Sequence, residues 1–289
     1  MQSTKKITRA FELIAASQIV RAQNRIAANR PFRQGMQRIV LKTAREDQGA
    51  ESLVGTPEDP RRVGVVLIVG DRGLSGPYNS SVLRAAEAVM ARHRERGAEV
   101  LLYTVGRRAI SYFRFRGRDV EHAFIGMADR PTFEDAREVA APLWHAFDDD
   151  QLDLIVLVST RYHSAGRQTV GVHQLLPLPE PEEASEPTEQ GTTQGTPSGG
   201  YTEFEPDGAS ILEHLMPRAL ESELYSALLE ASASEHAARQ RAMAAATDNA
   251  DELVRTLTRT MNRARQDNIT TEIMEIVGGA EALRSAKGA

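Results

Sequence analysis

The chain contains no cysteine, so it forms neither disulfide bonds nor thiolate metal sites. It also lacks any apolar run near the roughly 18 residues that a membrane-spanning helix needs. No apolar segment follows the basic residues at the N-terminus, so no signal peptide is predicted. These absences fit a reducing compartment, and the 289 residues suffice for one or two domains with real cores.

Positive charge is missing from one long stretch, because no Lys or Arg occurs between Gln168 and Pro217, where acidic residues accumulate. The N-terminus has the opposite character, since Glu12 is the single acidic residue among ten basic ones between Met1 and Arg45. The net charge of −5 hides this asymmetry. A basic part and an acidic part of one chain are expected to face different partners.

Recognisable catalytic motifs are missing as well. There is no GxSxG nucleophile motif, no Walker loop and no pair of histidines at metal-ligand spacing with a carboxylate. The loop Gly70–Gly76 lies between a predicted strand and a helix, where dinucleotide enzymes bind phosphate, but its spacing is GxxGxxG rather than GxGxxG. We interpret it as a tight structural turn, and we predict no catalytic residue, no cofactor and no metal. A Rossmann-like nucleotide enzyme that uses this loop stays as one alternative.

A long helix is predicted from residue 3 to about residue 50. A narrow coiled-coil seam with alternating spacings of four and three is predicted to consist of Ile7, Phe11, Ile14 and Gln18. Pro31 is expected to bend this helix or to break it into two, because an interior proline costs about 3 kcal/mol.

Residues 63 to about 176 alternate between strand and helix patterns. Strands are predicted at 63–70, 99–105, 119–125, 152–159 and 169–176, and helices at 78–96, 107–116 and 132–147. Strands that alternate with helices predict a mostly parallel sheet, and the last two strands are expected to form an antiparallel edge. The fold class is therefore α/β: a long antiparallel coiled coil of the terminal helices with an inserted Rossmann-like domain. The predicted boundaries are 1–55 for the first helix, 60–178 for the domain, 179–207 for an acidic flexible loop and 208–289 for the last helix.

The C-terminal part is expected to be one helix, because it has no proline past Pro217 and no glycine before Gly278. At 1.5 Å per residue this helix would reach ~110 Å and the first one ~70 Å, whereas a domain of a hundred residues is only about 30 Å across. Most of both helices must therefore project as an antiparallel pair. Its thin seam buries little apolar area, so a surrounding partner is expected. A helical nucleic-acid-binding or scaffold protein with an inserted α/β domain stays as a second alternative.

Several segments resemble the gamma subunit of bacterial F-type (F1Fo) ATP synthase. Residues 2–17 (QSTKKITRAFELIAAS) and Ala27–Phe32, with its proline, are similar to the N-terminal helix of that family. Asp71–Asn79 is similar to its glycine loop, and the most extensive similarity lies in separate motifs between Glu235 and Ala280. The resemblance covers nearly the whole chain.

The resemblance implies a central rotor shaft that does not catalyse. Its paired helices would stand in the bore of a ring of three alpha and three beta subunits, and ATP would form on beta. The α/β domain would rest, with the epsilon subunit, on the membrane-embedded c-ring, which proton flow turns. The resemblance thus implies a peripheral protein at the cytoplasmic face of the bacterial plasma membrane, with no nucleic acid among its partners.

The resemblance also assigns partner contacts. Contacts with the ring of alpha and beta subunits are expected from Lys5, Lys6, Arg9, Arg21, Arg25, Arg255, Arg259, Arg263, Gln266, Met274, Ile276 and Val277. Contacts on the side of the foot towards the c-ring and epsilon are expected from Arg72, Tyr78, Tyr201 and Phe204. Family members carry further residues before the motif at Gln2, which predicts that the natural chain begins upstream of Met1.

Overall fold

The computed structural model describes residues 2–46, 53–179 and 208–287. Two long helices, α1 (Gln2–Glu46) and α5 (Gly208–Lys287), precede and follow an α/β domain along the chain. The domain consists of β1 (Arg62–Ile68), α2 (Tyr78–Glu95), β2 (Glu99–Val105), α3 (Arg107–Phe115), β3 (His122–Phe124), α4 (Phe133–Asp148), β4 (Leu154–Tyr162) and β5 (Gln168–Leu176). The predicted fold class is confirmed. The predicted acidic loop lies, apart from Pro179, outside the described residues.

The five strands form one sheet in the order β3-β2-β1-β4-β5. The first four strands are parallel, and β5 pairs antiparallel with β4, so the predicted antiparallel edge is confirmed. β1 lies at the centre, where Val65 pairs with both Leu102 and Val156. The strand predicted at 119–125 is too long, because only His122–Phe124 pairs with β2. Before it, Asp119 and Glu121 are charged and exposed, and the segment lies at the edge of the sheet, where little apolar burial favours pairing.

Helices cover both faces of the sheet. Leu143 of α4 and Leu224 and Leu228 of α5 pack with Tyr103 and Leu157 on one face. On the other face, α2 and α3 pack against β1 and its neighbours through Val89 and Phe113. These strands are buried on both sides, which explains their continuous apolar sequences.

The helix predicted from residue 132 begins one residue later because Thr132 caps it. The Thr132 hydroxyl accepts a hydrogen bond from the Asp135 N–H (3.2 Å), and the Asp135 carboxylate accepts one from the Thr132 N–H (2.7 Å). This reciprocal pair satisfies two backbone donors that a helix start leaves free.

The terminal helices run antiparallel, as predicted. Lys5 at the start of α1 pairs with Asp251, whereas Arg33, much later in α1, pairs with Glu223 at 2.8 Å. The α1 residues that face α5 recur at alternating spacings of three and four, which is the heptad pattern of a coiled coil. Buried or partly buried positions at this spacing are Lys5, Thr8, Glu12, Ala15, Ile19, Ala22, Ile26, Asn29, Arg33, Met36, Val40 and Thr43.

The predicted seam is wrong by one position. Ile7, Phe11 and Ile14 are 54%, 39% and 56% exposed and point away from α5. The seam instead contains the small side chains Ala15 and Ala22, which are buried and permit close approach of the two helices. The larger apolar side chains are left on the outside, where no described residue covers them.

Pro31 does not break α1, which is a single helix through this position. Proline removes the hydrogen bond from its own nitrogen to the carbonyl of residue 27. Both Ala27 and Pro31 are exposed, so this carbonyl faces water on the outer side of the pair. The predicted break is therefore wrong, because the cost of the lost bond is reduced by solvation.

The last part of α5 stands alone. The register that joins Lys5 to Asp251 brings the start of α1 level with the residues just after Asp251. Every residue from Arg255 to Ala280 is exposed. At 1.5 Å per residue, the 26 positions from Arg255 to Ala280 form a single helix about 40 Å long. We call this segment, Arg255–Ala280, the bare tip.

Candidate functional site

The bare tip exposes both charge and apolar surface. Arg255, Arg259 and Arg263 follow one another at every fourth position, so they line one face of the helix, and all three are exposed. Further along the tip, Gln266, Met274, Ile276 and Val277 are exposed as well. More apolar side chains exposed on the same segment are Leu257, Met261, Ile269 and Ile273. So many exposed apolar side chains on one helix indicate a contact with another protein.

The basic residues expected to face the ring from α1 fall into two groups. Lys6, Arg21 and Arg25 are exposed. Arg9 is exposed too, but its guanidinium is 2.8 Å from the Glu12 carboxylate within the same helix. Lys5 lies in the seam and forms an ion pair with Asp251 of α5. Four of the five predicted contacts on α1 are thus presented outward, and Lys5 joins the two helices.

The residues expected on the foot side are not brought together. Arg72 is exposed, but Tyr78 is 7% exposed and its hydroxyl donates a hydrogen bond to the Ala231 carbonyl of α5 at 3.2 Å. Burial raises the pKa of the Tyr78 phenol well above its usual value. The Tyr78 side chain is thus used inside the chain, and its contact with a partner stays a prediction. Tyr201 and Phe204 lie outside the described residues.

The glycine loop after β1 is closed by its own side chains. The Gly70 N–H donates to the Asn79 side-chain oxygen at 2.8 Å, and the Asn79 amide donates to the Arg72 carbonyl at 3.3 Å. The Asp71 carboxylate accepts hydrogen bonds from the N–H groups of Arg107 and Gly126, each at 3.0 Å. These contacts make the loop a structural turn that joins the carboxyl ends of three strands.

The space beside Gly70 is filled by a side chain of α5. A Cβ atom placed on Gly70 would lie 2.4 Å from Oε1 of Glu235. Dinucleotide enzymes use glycine at this point of the fold so that a phosphate can approach the backbone. In this chain a carboxylate of its own last helix makes that approach, which argues against a nucleotide at the loop.

Glu235 belongs to a polar cluster, which we call the exit joint: Glu235, His236, Arg239, Ser232 and Asp129. Glu235 and Arg239 are 2% and 8% exposed, lie one helical turn apart and form an ion pair. The Ser232 hydroxyl donates to the Asp129 carbonyl at 2.9 Å, and Nε2 of His236 lies 3.3 Å from the same oxygen. The exit joint therefore attaches two successive turns of α5 to the carboxyl edge of the sheet.

Burial sets the protonation of the joint. It raises the pKa of the Glu235 carboxyl, against the opposing effect of Arg239. Burial also lowers the pKa of His236. The positive charges of Arg239 and Arg130 lower this pKa further, whereas Asp129 raises it. Nδ1 of His236 is 3.3 Å from the Arg239 guanidinium, so it acts as an acceptor. A neutral ring with the proton on Nε2 satisfies both contacts, although Nε2 also lies 3.7 Å from the Asp129 carboxylate.

The exit joint was not predicted as a site. Its residues Glu235, His236 and Arg239 lie within the C-terminal motifs that carry the family resemblance, and this was the one available signal. Within the described ranges, no group of three or more His, Asp or Glu residues is placed to hold a metal ion.

None of the helices in the described part of the chain is long and apolar enough to cross a membrane.

Solved structures with a similar fold include two mitochondrial ATP synthase components. A chain from the central stalk and c-ring structure of Tetrahymena thermophila aligns with a TM-score of 0.63 at 21% identity, covering 83% of this chain and 99% of that one. A chain from the OSCP/F1/c-ring structure of Euglena gracilis aligns with a TM-score of 0.56 at 19% identity, covering 95% and 97%. At these identities the likeness shows the fold.

Sequence comparison shows the family. The ATP synthase family model matches residues 1–283. The ATP synthase gamma chain of Parafrankia sp. (strain EAN1pec) is 47% identical, with 99% of this chain and 95% of the relative covered. The gamma chain of Streptomyces coelicolor is 42% identical, with 98% and 93% covered. The chain therefore belongs to the family of ATP synthase gamma chains.

Proposed function

We propose that this chain is the central rotor shaft of an F1Fo ATP synthase. The observation that carries the proposal is the bare tip: about 40 Å of single helix that exposes both apolar and basic side chains. A lone helix of this kind gains little stability from its own sequence, because most helical stability in proteins comes from packing. A close-fitting sleeve of other subunits supplies that packing and leaves the helix free to turn inside it.

The sleeve is a ring of three alpha and three beta subunits, and the beta subunits form ATP. The chain contributes no catalytic group of its own. Arg255, Arg259 and Arg263, with the outward residues of α1, face polar and acidic surfaces of the ring. Met274, Ile276 and Val277 lie in an apolar bearing at its far end.

The α/β domain is the foot of the rotor. It sits on the c-ring together with the epsilon subunit, so that proton flow through the membrane sector turns the whole chain. The complex lies at the cytoplasmic face of the bacterial plasma membrane, and the chain is peripheral. Of the foot residues, Arg72 has the exposure that a partner contact requires.

A co-purification and rotation experiment tests the proposal. The full chain, expressed with its alpha and beta subunits, should elute as one complex with ATPase activity, whereas the isolated chain should have none. A probe attached to the α/β domain should rotate when the ring is immobilised and ATP is added. A chain that elutes alone from this co-expression, or that binds duplex DNA in a gel shift as tightly as it binds the ring, would favour the scaffold or nucleic-acid alternative.

A further inference from the structure

Helix α5 changes its surroundings abruptly at the carboxyl edge of the sheet. Between Ala219 and Ala237 nearly every residue is buried, because the α/β domain and α1 enclose the helix from all sides. Beyond Arg239 the buried positions reduce to Met243, Thr247 and Ala250. The exit joint therefore lies at the last place where α5 is held by the foot.

The contacts at this place come from separate segments of the domain. Tyr78, at the start of α2, donates to the carbonyl of Ala231 at 3.2 Å. Asp129, between β3 and α4, receives Ser232 and His236. The guanidinium of Arg239 reaches the Gly73 carbonyl at 3.5 Å, and the Glu235 carboxylate lies against Gly70. Hydrogen bonds thus reach α5 from more than one direction within about two helical turns.

Hydrogen bonds resist rotation of the helix about its own axis, which the apolar core below them does not. Burial of apolar surface is non-directional, so it resists separation of α5 from the sheet more than a small rotation of the helix about its own axis. Hydrogen bonds weaken steeply when their angle changes. A set of buried polar contacts around the helix therefore fixes its rotational position.

Stability alone does not account for the buried charges. Desolvation of a carboxylate and a guanidinium costs several kcal/mol per ion in general, and apolar replacements of buried pairs are often neutral or stabilising. The Glu235–Arg239 pair lies within a single helix, so it does not by itself tie two elements together. The pair acts on the domain through two contacts. Glu235 lies against the backbone at Gly70, and Arg239 reaches the backbone at Gly73.

We propose that Glu235 and Arg239 are positioning residues that fix the rotation of α5 where it leaves the α/β domain, so that torque passes between the foot and the shaft without slip. This inference rests on the proposed function as a rotor shaft. It assigns torque transfer to directional contacts at one level of the chain, whereas the apolar core holds the helix in place along its length.

The test measures torsional stiffness in the assembled complex. The ring is immobilised, a probe is attached to the α/β domain, and its angular variance is recorded during the pause before ATP binds. Glu235→Gln and Arg239→Gln should each widen the angular distribution relative to wild type. Arg116→Gln is the matched control, since it removes one charge of an exposed ion pair, Arg116–Glu87, that lies within the α/β domain and outside the joint, and it should leave the distribution unchanged.

A disulfide bridge between the glycine loop and α5 should restore the wild-type angular distribution. A Cβ atom placed on Gly76 would lie 3.6 Å from Cβ of Ala242, a separation that suits a disulfide, and the left-handed backbone at Gly76 (φ +56°) strains any side chain introduced there. Because the chain has no cysteine, Gly76→Cys with Ala242→Cys adds a single possible bridge between the glycine loop and α5. Combined with Glu235→Gln, the oxidised bridge should narrow the distribution to that of wild type, and reduction should widen it again.

The outcomes separate the two proposals. If the wild-type probe does not rotate, the proposed function fails. If it rotates, but Glu235→Gln and Arg239→Gln keep the wild-type variance, or Arg116→Gln widens it as much as they do, the positioning role is wrong. If neither glutamine variant assembles, Arg239→Lys in the doubly substituted cysteine background is measured instead. Equal variance of its oxidised and reduced forms would also overturn the inference.

Discussion

Glu235 occupies the space that any side chain at residue 70 would need, since a Cβ on Gly70 would lie 2.4 Å from Oε1 of Glu235. The carboxylate cannot retreat freely, because Arg239 binds it and the site is buried. The glycine of the loop and the glutamate of the last helix are therefore complementary features of one packing arrangement. The glycine is required by its own α5 rather than by a ligand.

We expect Gly70→Ala to destabilise the chain. The added methyl group forces the Glu235 carboxylate out of its position, and overpacking of this kind costs about 1–3 kcal/mol. Chemical denaturation of the full chain, followed by circular dichroism, should show a lower midpoint. Gly35→Ala in α1 is the matched control, because nothing lies within 4 Å of its added Cβ. There the same change should raise stability by up to about 1 kcal/mol, the usual helix preference of alanine over glycine.

His236 should make the chain less stable as the pH falls below neutrality. Burial lowers the pKa of His236 in the folded chain, whereas the unfolded residue keeps a value near 6.5. The unfolded state therefore binds more protons below pH 6.5, and the free energy of unfolding falls as the pH decreases through that value. Asp129 opposes this shift, and Arg239 and Arg130 reinforce it.

Denaturation of the wild type and of His236→Gln between pH 5.5 and 7.5, a range of about one unit on either side of the usual histidine pKa, measures this effect. The wild type should lose up to about 1.4 kcal/mol per pH unit more than the variant, the limit for one proton. His93 and His173 also have pKa values lowered by burial, so some dependence should remain in the variant. Parallel curves for the two proteins would contradict the assignment to His236.

Tyr78→Phe should affect stability and leave partner binding unchanged. The buried hydroxyl loses its hydrogen bond to Ala231, which costs about 1 kcal/mol. The exposed Arg72 is the matched comparison, because it is the foot residue with access to a partner. Co-purification with epsilon and the c-ring should stay at the wild-type level for Tyr78→Phe, and a drop at wild-type stability would restore Tyr78 as a partner contact.

Sequence patterns predict the order of the helices and strands correctly, but they do not predict which face of α1 packs against α5. Apolar runs such as that of β1 predict strands because a central parallel strand is buried on both sides. In α1, two stripes of residues have the same four-three spacing, one with Ile7 and Ile14 and one with Thr8 and Ala15. The greater apolarity of the first stripe predicts that it forms the seam. The structure selects the other stripe because close approach of two helices requires small side chains.

The exit joint was beyond sequence reasoning for a different reason. Glu235 and Arg239 stand four residues apart in a helix, a spacing that normally indicates a solvent-exposed ion pair. Their burial depends on the domain that folds around them, and its residues Gly70 and Gly73, which meet them, stand more than a hundred positions earlier in the chain. Partner contacts of the bare tip depend in the same way on other chains.

Loss of single charges from the shaft should be tolerated. Arg255, Arg259 and Arg263 are all exposed, and exposed ion pairs contribute about 0–1 kcal/mol each. Arg255→Gln, Arg259→Gln and Arg263→Gln, one at a time, should therefore leave the ATP-driven rotation rate of the assembled complex within about fivefold of wild type, since 1 kcal/mol corresponds to about a fivefold change. The triple variant removes the whole basic face and should slow rotation more than any single change. Lys6→Gln, on α1, tests whether the same distribution holds on the other helix. If one single substitution abolished rotation while the complex stayed assembled, the coupling would be concentrated at that residue and the distributed contact would be wrong.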